Sequence, residues 1–117
     1  MKHLILLLFF LSPQAYACTL AAELLDNDHP TTGCPADVTG VVQRAARCTH
    51  WAGEEATDKA RQKEITKGMQ ENYCETLPCD AKNLSDHYAA QPQVQRVLAH
   101  AWETLYDEKI GVECKQR

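Results

Sequence analysis

Glycine is scarce, with five residues in 117. So little glycine gives no material for a phosphate-cradling loop, and neither G-x-G-x-x-G nor a P-loop is present. G-x-S-x-G, H-E-x-x-H and calcium-loop patterns are also absent. Ser12 and Ser85 have no orienting base at a recognisable spacing, so the chain is expected not to be an enzyme. An excess of basic charge is missing too: 12 Lys and Arg stand against 16 Asp and Glu. That balance carries no electrostatic footprint for nucleic acid or for an anionic lipid surface. Alternating apolar and polar runs are lacking, so no strand is expected. One long apolar run exists, Leu4 to Leu11, against the roughly 20 residues that a spanning helix needs.

That run belongs to a leader. Met1-Lys2-His3 is a short positive start, Ser12-Pro13-Gln14 breaks the apolar stretch, and Ala15-Tyr16-Ala17 has the small-x-small pattern of a signal-peptidase site. Residues 1–17 therefore read as a signal peptide and a periplasmic or secreted protein follows. Without Lys2 the mature chain has 11 basic and 16 acidic side chains, a net charge of −5. Cys18 comes next and offers an alternative, acylation as in a bacterial lipoprotein, although Ala15 and Tyr16 fit that signal poorly. Parity favours a free Cys18, because six cysteines can form three disulfides whereas five leave one odd. Contact with a membrane is expected only if Cys18 is lipidated.

Residues 18–33 read as an irregular N-terminal arm rich in turn chemistry, pinned through Cys18. A helical domain is expected over 34–117. Val38, Val41, Val42, Ala45 and Cys48 form one stripe, giving helix 1 over about 35–48 after Cys34-Pro35. Helix 2 is expected from Glu54 to about Tyr73, with a thin apolar stripe (Ile65, Met69, Tyr73) on an otherwise charged rod. Asp80 is the expected N-cap of helix 3. Helix 4 opens at Pro92, carries Val94, Val97, Leu98, Ala101 and Leu105, and stops at Gly111. The fold class is all-α: about four helices in two hairpins, stapled by disulfides.

Six cysteines in so short a chain suit an oxidising compartment. Cys34 and Cys48 stand at opposite ends of helix 1, about 20 Å apart, too far to bond. An antiparallel helix 1–helix 2 hairpin would bring Cys34 to Cys74 or Cys79 and leave Cys48 for Cys114 or Cys18. Cys74 with Cys79 would close only a small loop. Their C-x4-C spacing is not that of a redox pair.

His50-Trp51-Ala52-Gly53-Glu54-Glu55 is the most distinctive segment. One reading makes His50, Trp51, Glu54 and Glu55 a contact surface at the start of helix 2. A metal site on His50 and the nearby carboxylates, with His87 or His100, is an alternative. The structural reading has Trp51 plug the hairpin end, Gly53 supply an unusual backbone angle and the glutamates face the helix dipole. His87 and His100 could also face each other across the second hairpin.

The pattern Cys34-Pro35, then Arg47-x-Cys48-x-His50-Trp51-x-Gly53-Glu54-Glu55, then a charged helix ending in Tyr73-Cys74 resembles a group of small exported proteobacterial proteins of unsettled function. The resemblance covers about residues 34–90 and implies an envelope location. Cys79 and Cys114 depart from that pattern and suggest an additional staple. A looser likeness exists to periplasmic lysozyme-inhibitor-like and effector-immunity proteins. The resulting expectation is a small exported binding or inhibitor protein that acts through a protein–protein surface, possibly against a cell-wall enzyme, with a protein partner in the envelope and no cofactor. A metal-binding envelope protein and a structural lipoprotein anchored at Cys18 are the alternatives.

Overall fold

A computed structural model describes residues 17–24 and 29–115. Most of the leader, residues 1–16, lies outside the described residues. Four helices carry the structure: α1 (Ala36–Ala52), α2 (Lys59–Glu71), α3 (Leu77–His87) and α4 (Pro92–Tyr106). A two-residue antiparallel ladder joins β1 (Thr19–Leu20) to β2 (Thr31–Thr32) in the arm, pairing Thr19 with Thr32 and Leu20 with Thr31. No strand was expected there. Pairs this short show no periodicity that a sequence pattern can reveal.

The apolar stripe of α1 forms the centre of the molecule. Val38, Val42 and Ala45 are fully buried, and α4 lays Val94, Leu98, Ala101 and Trp102 against them. Leu77 and Ala81 of α3 close the same cluster, and Cys18 and Leu24 of the arm reach into it. The bundle is thus α1 packed on α4 and α3, with α2 against the end of α1. Polar groups tie these contacts. The Tyr106 hydroxyl donates to the Ala45 carbonyl at 3.1 Å. The Tyr88 hydroxyl donates to Asp37 Oδ1 at 2.8 Å, joining the end of α3 to the first turn of α1.

Several helix limits differ from the expected ones. Helix α1 runs on to Ala52, so His50 and Trp51 are helical. Gly53 caps it with an ordinary φ of −84°, so no unusual angle is needed. Helix α2 starts at Lys59, capped by Asp58, whose side chain accepts from the Arg61 N–H at 2.8 Å. Glu54 and Glu55 therefore lie in the connection and do not face the α2 dipole. Helix α3 begins at Leu77, which puts Cys79 and Asp80 inside its first turn. Asp80 pairs with Arg44 at 2.9 Å rather than capping. Helix α4 ends at Asp107 in the left-handed conformation (φ 53°), ahead of Gly111.

Three disulfides staple the chain: Cys18–Cys34, Cys48–Cys74 and Cys79–Cys114. Among the described residues no cysteine is free. Cys18 pins the arm as expected, but Cys34 does not reach Cys74 or Cys79, and Cys48 meets neither Cys114 nor Cys18. The cause is the offset of the α1–α2 hairpin. The end of α2 faces the second half of α1, at Arg44 and Cys48, and not its start. Arg44 shows the register directly: its Nε donates to Asn72 O at 3.0 Å and its Nη2 to Tyr73 O at 2.9 Å. In the structure the Cys18 sulfur is bonded to Cys34 and carries no free thiol. Three disulfides fit an oxidising setting. Among the described residues no helix is long and apolar enough to cross a membrane.

Candidate functional site

The distinctive segment folds into a joint between α1 and α2. Glu54 occupies both its oxygens internally: Oε2 takes Arg61 Nη2 at 2.8 Å, and Oε1 faces His50 Nε2 at 3.3 Å. Arg61 reaches on to Glu64 at 2.8 Å and sits over the Trp51 ring, 5.7 Å from its centroid. Hydrogen bonds to Glu64 and Glu54 raise the Arg61 pKa further above its already high ordinary value. The His50 ring meets Trp51 edge-on at 5.6 Å. Trp51 itself is half-buried, and its indole lies against the backbone of Gly68. Of the four expected contact residues, His50, Trp51 and Glu54 thus hold one another. Glu55 stands exposed in the connection.

The metal reading finds no support in this arrangement. Among the described residues no group of three or more His, Cys, Asp or Glu is placed to hold an ion. His87 turns edge-on to Tyr88 at 4.8 Å. His100 instead lines a groove against the N-terminal arm, so the two histidines serve different neighbourhoods.

A second locus, not anticipated from the sequence, lies where α2 ends. Ile65, Met69 and Tyr73 are the thin apolar stripe of this otherwise charged helix. Ile65 is buried, yet neither it nor Met69 joins the main apolar cluster. Together with Tyr73 they line an open groove of about 500 Å³. Tyr73 is 69% exposed, the most exposed large apolar residue among those described. Its φ is +49°, a left-handed conformation that a tyrosine rarely adopts. Two restraints hold it there. Arg44 and the Thr76 hydroxyl both donate to the Tyr73 carbonyl, at 2.9 and 3.3 Å, and the next residue is bonded through sulfur to Cys48. Arg44 also pairs with Asp80, so one guanidinium connects α1, the end of α2 and the start of α3. The sequence does hold a signal for this corner: a tyrosine directly before a cysteine, at the end of a polar helix with a thin apolar stripe.

The fold and this surface define a small all-α bundle stapled by disulfides, with a rigid aromatic corner. No family model, curated protein or solved structure matches the chain.

Proposed function

We propose that the chain is a small exported protein of the bacterial periplasm that acts by binding another protein, as an inhibitor or a sequestering partner. The observation that carries this reading is Tyr73. A bulky non-glycine residue in the left-handed region costs about 1–2 kcal/mol, and such strain gathers at functional sites. Here it presents an aromatic ring to solvent beside an apolar groove, on a corner fixed by Arg44 and the Cys48–Cys74 bond. Rigid, exposed tyrosines make effective anchors in protein interfaces because little side-chain entropy is lost on contact. The net charge of −5 in the mature chain steers it toward a basic partner, such as a basic enzyme of the cell wall.

Tyr73→Asn tests the reading, since asparagine tolerates the left-handed backbone and removes only the ring. Wild-type and variant proteins, immobilised in parallel, are exposed to periplasmic extract at low and high salt. A partner retained by the wild type, lost from Tyr73→Asn and weakened by salt supports the proposal. Equal retention by both proteins, or by neither, sinks it.

A further inference from the structure

We infer that the outward face of α2 pairs with the same face of a second copy of this chain, antiparallel and across a two-fold axis at Met69, and that this weak dimer covers Tyr73. The inference rests on the reading of Tyr73 as an anchor and adds a partner that the chain itself supplies. Ile65, Thr66, Met69, Gln70 and Tyr73 line the groove of about 500 Å³ and give it an uncharged middle. Glu75 also lines it, beyond the end of α2. Thr66 and Gln70 continue back along one row of the helix to Lys63 and Lys59, at spacings of three and four residues. Both lysines and Glu75 are exposed. Arg61 is already paired with Glu54 and Glu64, and Lys67 with Glu71. Among the described residues Lys59, Lys63 and Glu75 form no ion pair.

A face with unpaired lysines at one end, an unpaired glutamate at the other and an uncharged middle is complementary to itself turned end for end. The spacing fixes the centre. Tyr73 follows Met69 by four residues and Ile65 precedes it by four, while Glu75 follows by six and Lys63 precedes by six. An isologous contact centred on Met69 thus sets each Tyr73 opposite Ile65 of the second copy, and each Lys63 opposite its Glu75. Lys67 falls opposite Glu71 by the same count, so no like charges are opposed between Lys63 and Glu75. Arg44 and the Cys48–Cys74 bond hold the corner that carries Tyr73, so little order is lost on contact. A single helix face stands at the small end of specific interfaces, and the net charge of −4 on each chain opposes assembly. The dimer is therefore weak, and dilution or a tighter-binding protein frees Tyr73.

Sedimentation equilibrium of the protein with its three disulfides intact reads the association. The average mass should climb from one chain toward two from about 10 µM to about 1 mM, the range of a weak, small interface. Tyr73→Asn should stay a single chain throughout. Lys63→Glu and Glu75→Lys should each associate about tenfold more weakly, because each homodimer then opposes like charges at two places. Mixed in equal amounts, these two variants should pair as tightly as the wild type, since every contact across the axis again joins a cation to a carboxylate. A folding defect in either variant could not produce that rescue. A single-chain mass at every wild-type concentration, or a mixture that associates no better than its components, overturns the inference. Where the wild type stays single and Tyr73→Asn still loses a protein from periplasmic extract, the groove belongs to that protein and only the dimer is overturned.

Discussion

The indole of Trp51 and the backbone of Gly68 are in direct contact, with no room between them for a side chain. A β-carbon on Gly68 would overlap Cε2, Cδ2 and Nε1 of the ring. Glycine inside a helix ordinarily costs about 1 kcal/mol relative to alanine. At this position it lets α2 approach α1.

Gly68→Ala should therefore destabilise the protein by about 1–3 kcal/mol, the usual cost of forced overpacking, despite alanine's better helix propensity. Placed on a Trp51→Ala background, the same change should cost nothing or stabilise. Urea melts of the two single variants and the double variant form the cycle that checks this. Additive losses would show that the contact is incidental.

Each disulfide contributes by limiting the unfolded chain. Sequence separations of 16, 26 and 35 correspond to about 3–4 kcal/mol apiece. Replacing Cys79 and Cys114 together by serine should lower stability by that amount in urea melts. A non-reduced digest should yield linked peptides containing Cys18 with Cys34, Cys48 with Cys74, and Cys79 with Cys114. Recovery of a Cys34–Cys74 peptide would contradict the offset hairpin.

Burial raises the Tyr106 phenol pKa above its ordinary value, with the Thr49 hydroxyl pulling the other way. The folded state thus holds this proton more tightly than the unfolded state does. Its stabilising effect is complete below about pH 10, the unfolded tyrosine value, and declines as the pH climbs toward the folded one. Tyr106→Phe should flatten that part of the alkaline stability profile, while losing the hydrogen bond to Ala45 at neutral pH. An unchanged alkaline slope in Tyr106→Phe would place the titration elsewhere.

The left-handed backbone at Tyr73 predicts an ordering of substitutions by stability alone. Tyr73→Gly should be neutral or stabilising, and Tyr73→Val should destabilise by about 1–2 kcal/mol, because β-branching makes that conformation worse. Thermal melts distinguish this from an unstrained exposed site, where all three residues would behave alike.

The core was legible because the stripes of α1 and α4 repeat at helical spacing and face each other as written. Val38, Val42, Ala45, Val94, Leu98 and Ala101 all lie where periodicity places them. The disulfide partners were not legible. They depend on where along α1 the end of α2 falls, and periodicity gives a face but no longitudinal offset. The joint was half legible. Its residue types stood out, but the second partner of Glu54 is Arg61, one of several cations on a polar helix with nothing local to single it out. The exposure of Tyr73 was not legible because an apolar residue at the end of a stripe looks the same whether the stripe meets a core or a groove. Only the left-handed turn that ends α2 decides between them.

The six cysteines of this protein are bonded in consecutive pairs along the chain, so no bridge encloses or crosses another. For a polypeptide threaded N-terminus first into an oxidising space, the correct partner is always the first to arrive. Fifteen ways of joining six sulfurs then reduce to one by order of emergence. Such a chain needs little reshuffling to reach its native links, and a delay in any one of them leaves the other two undisturbed.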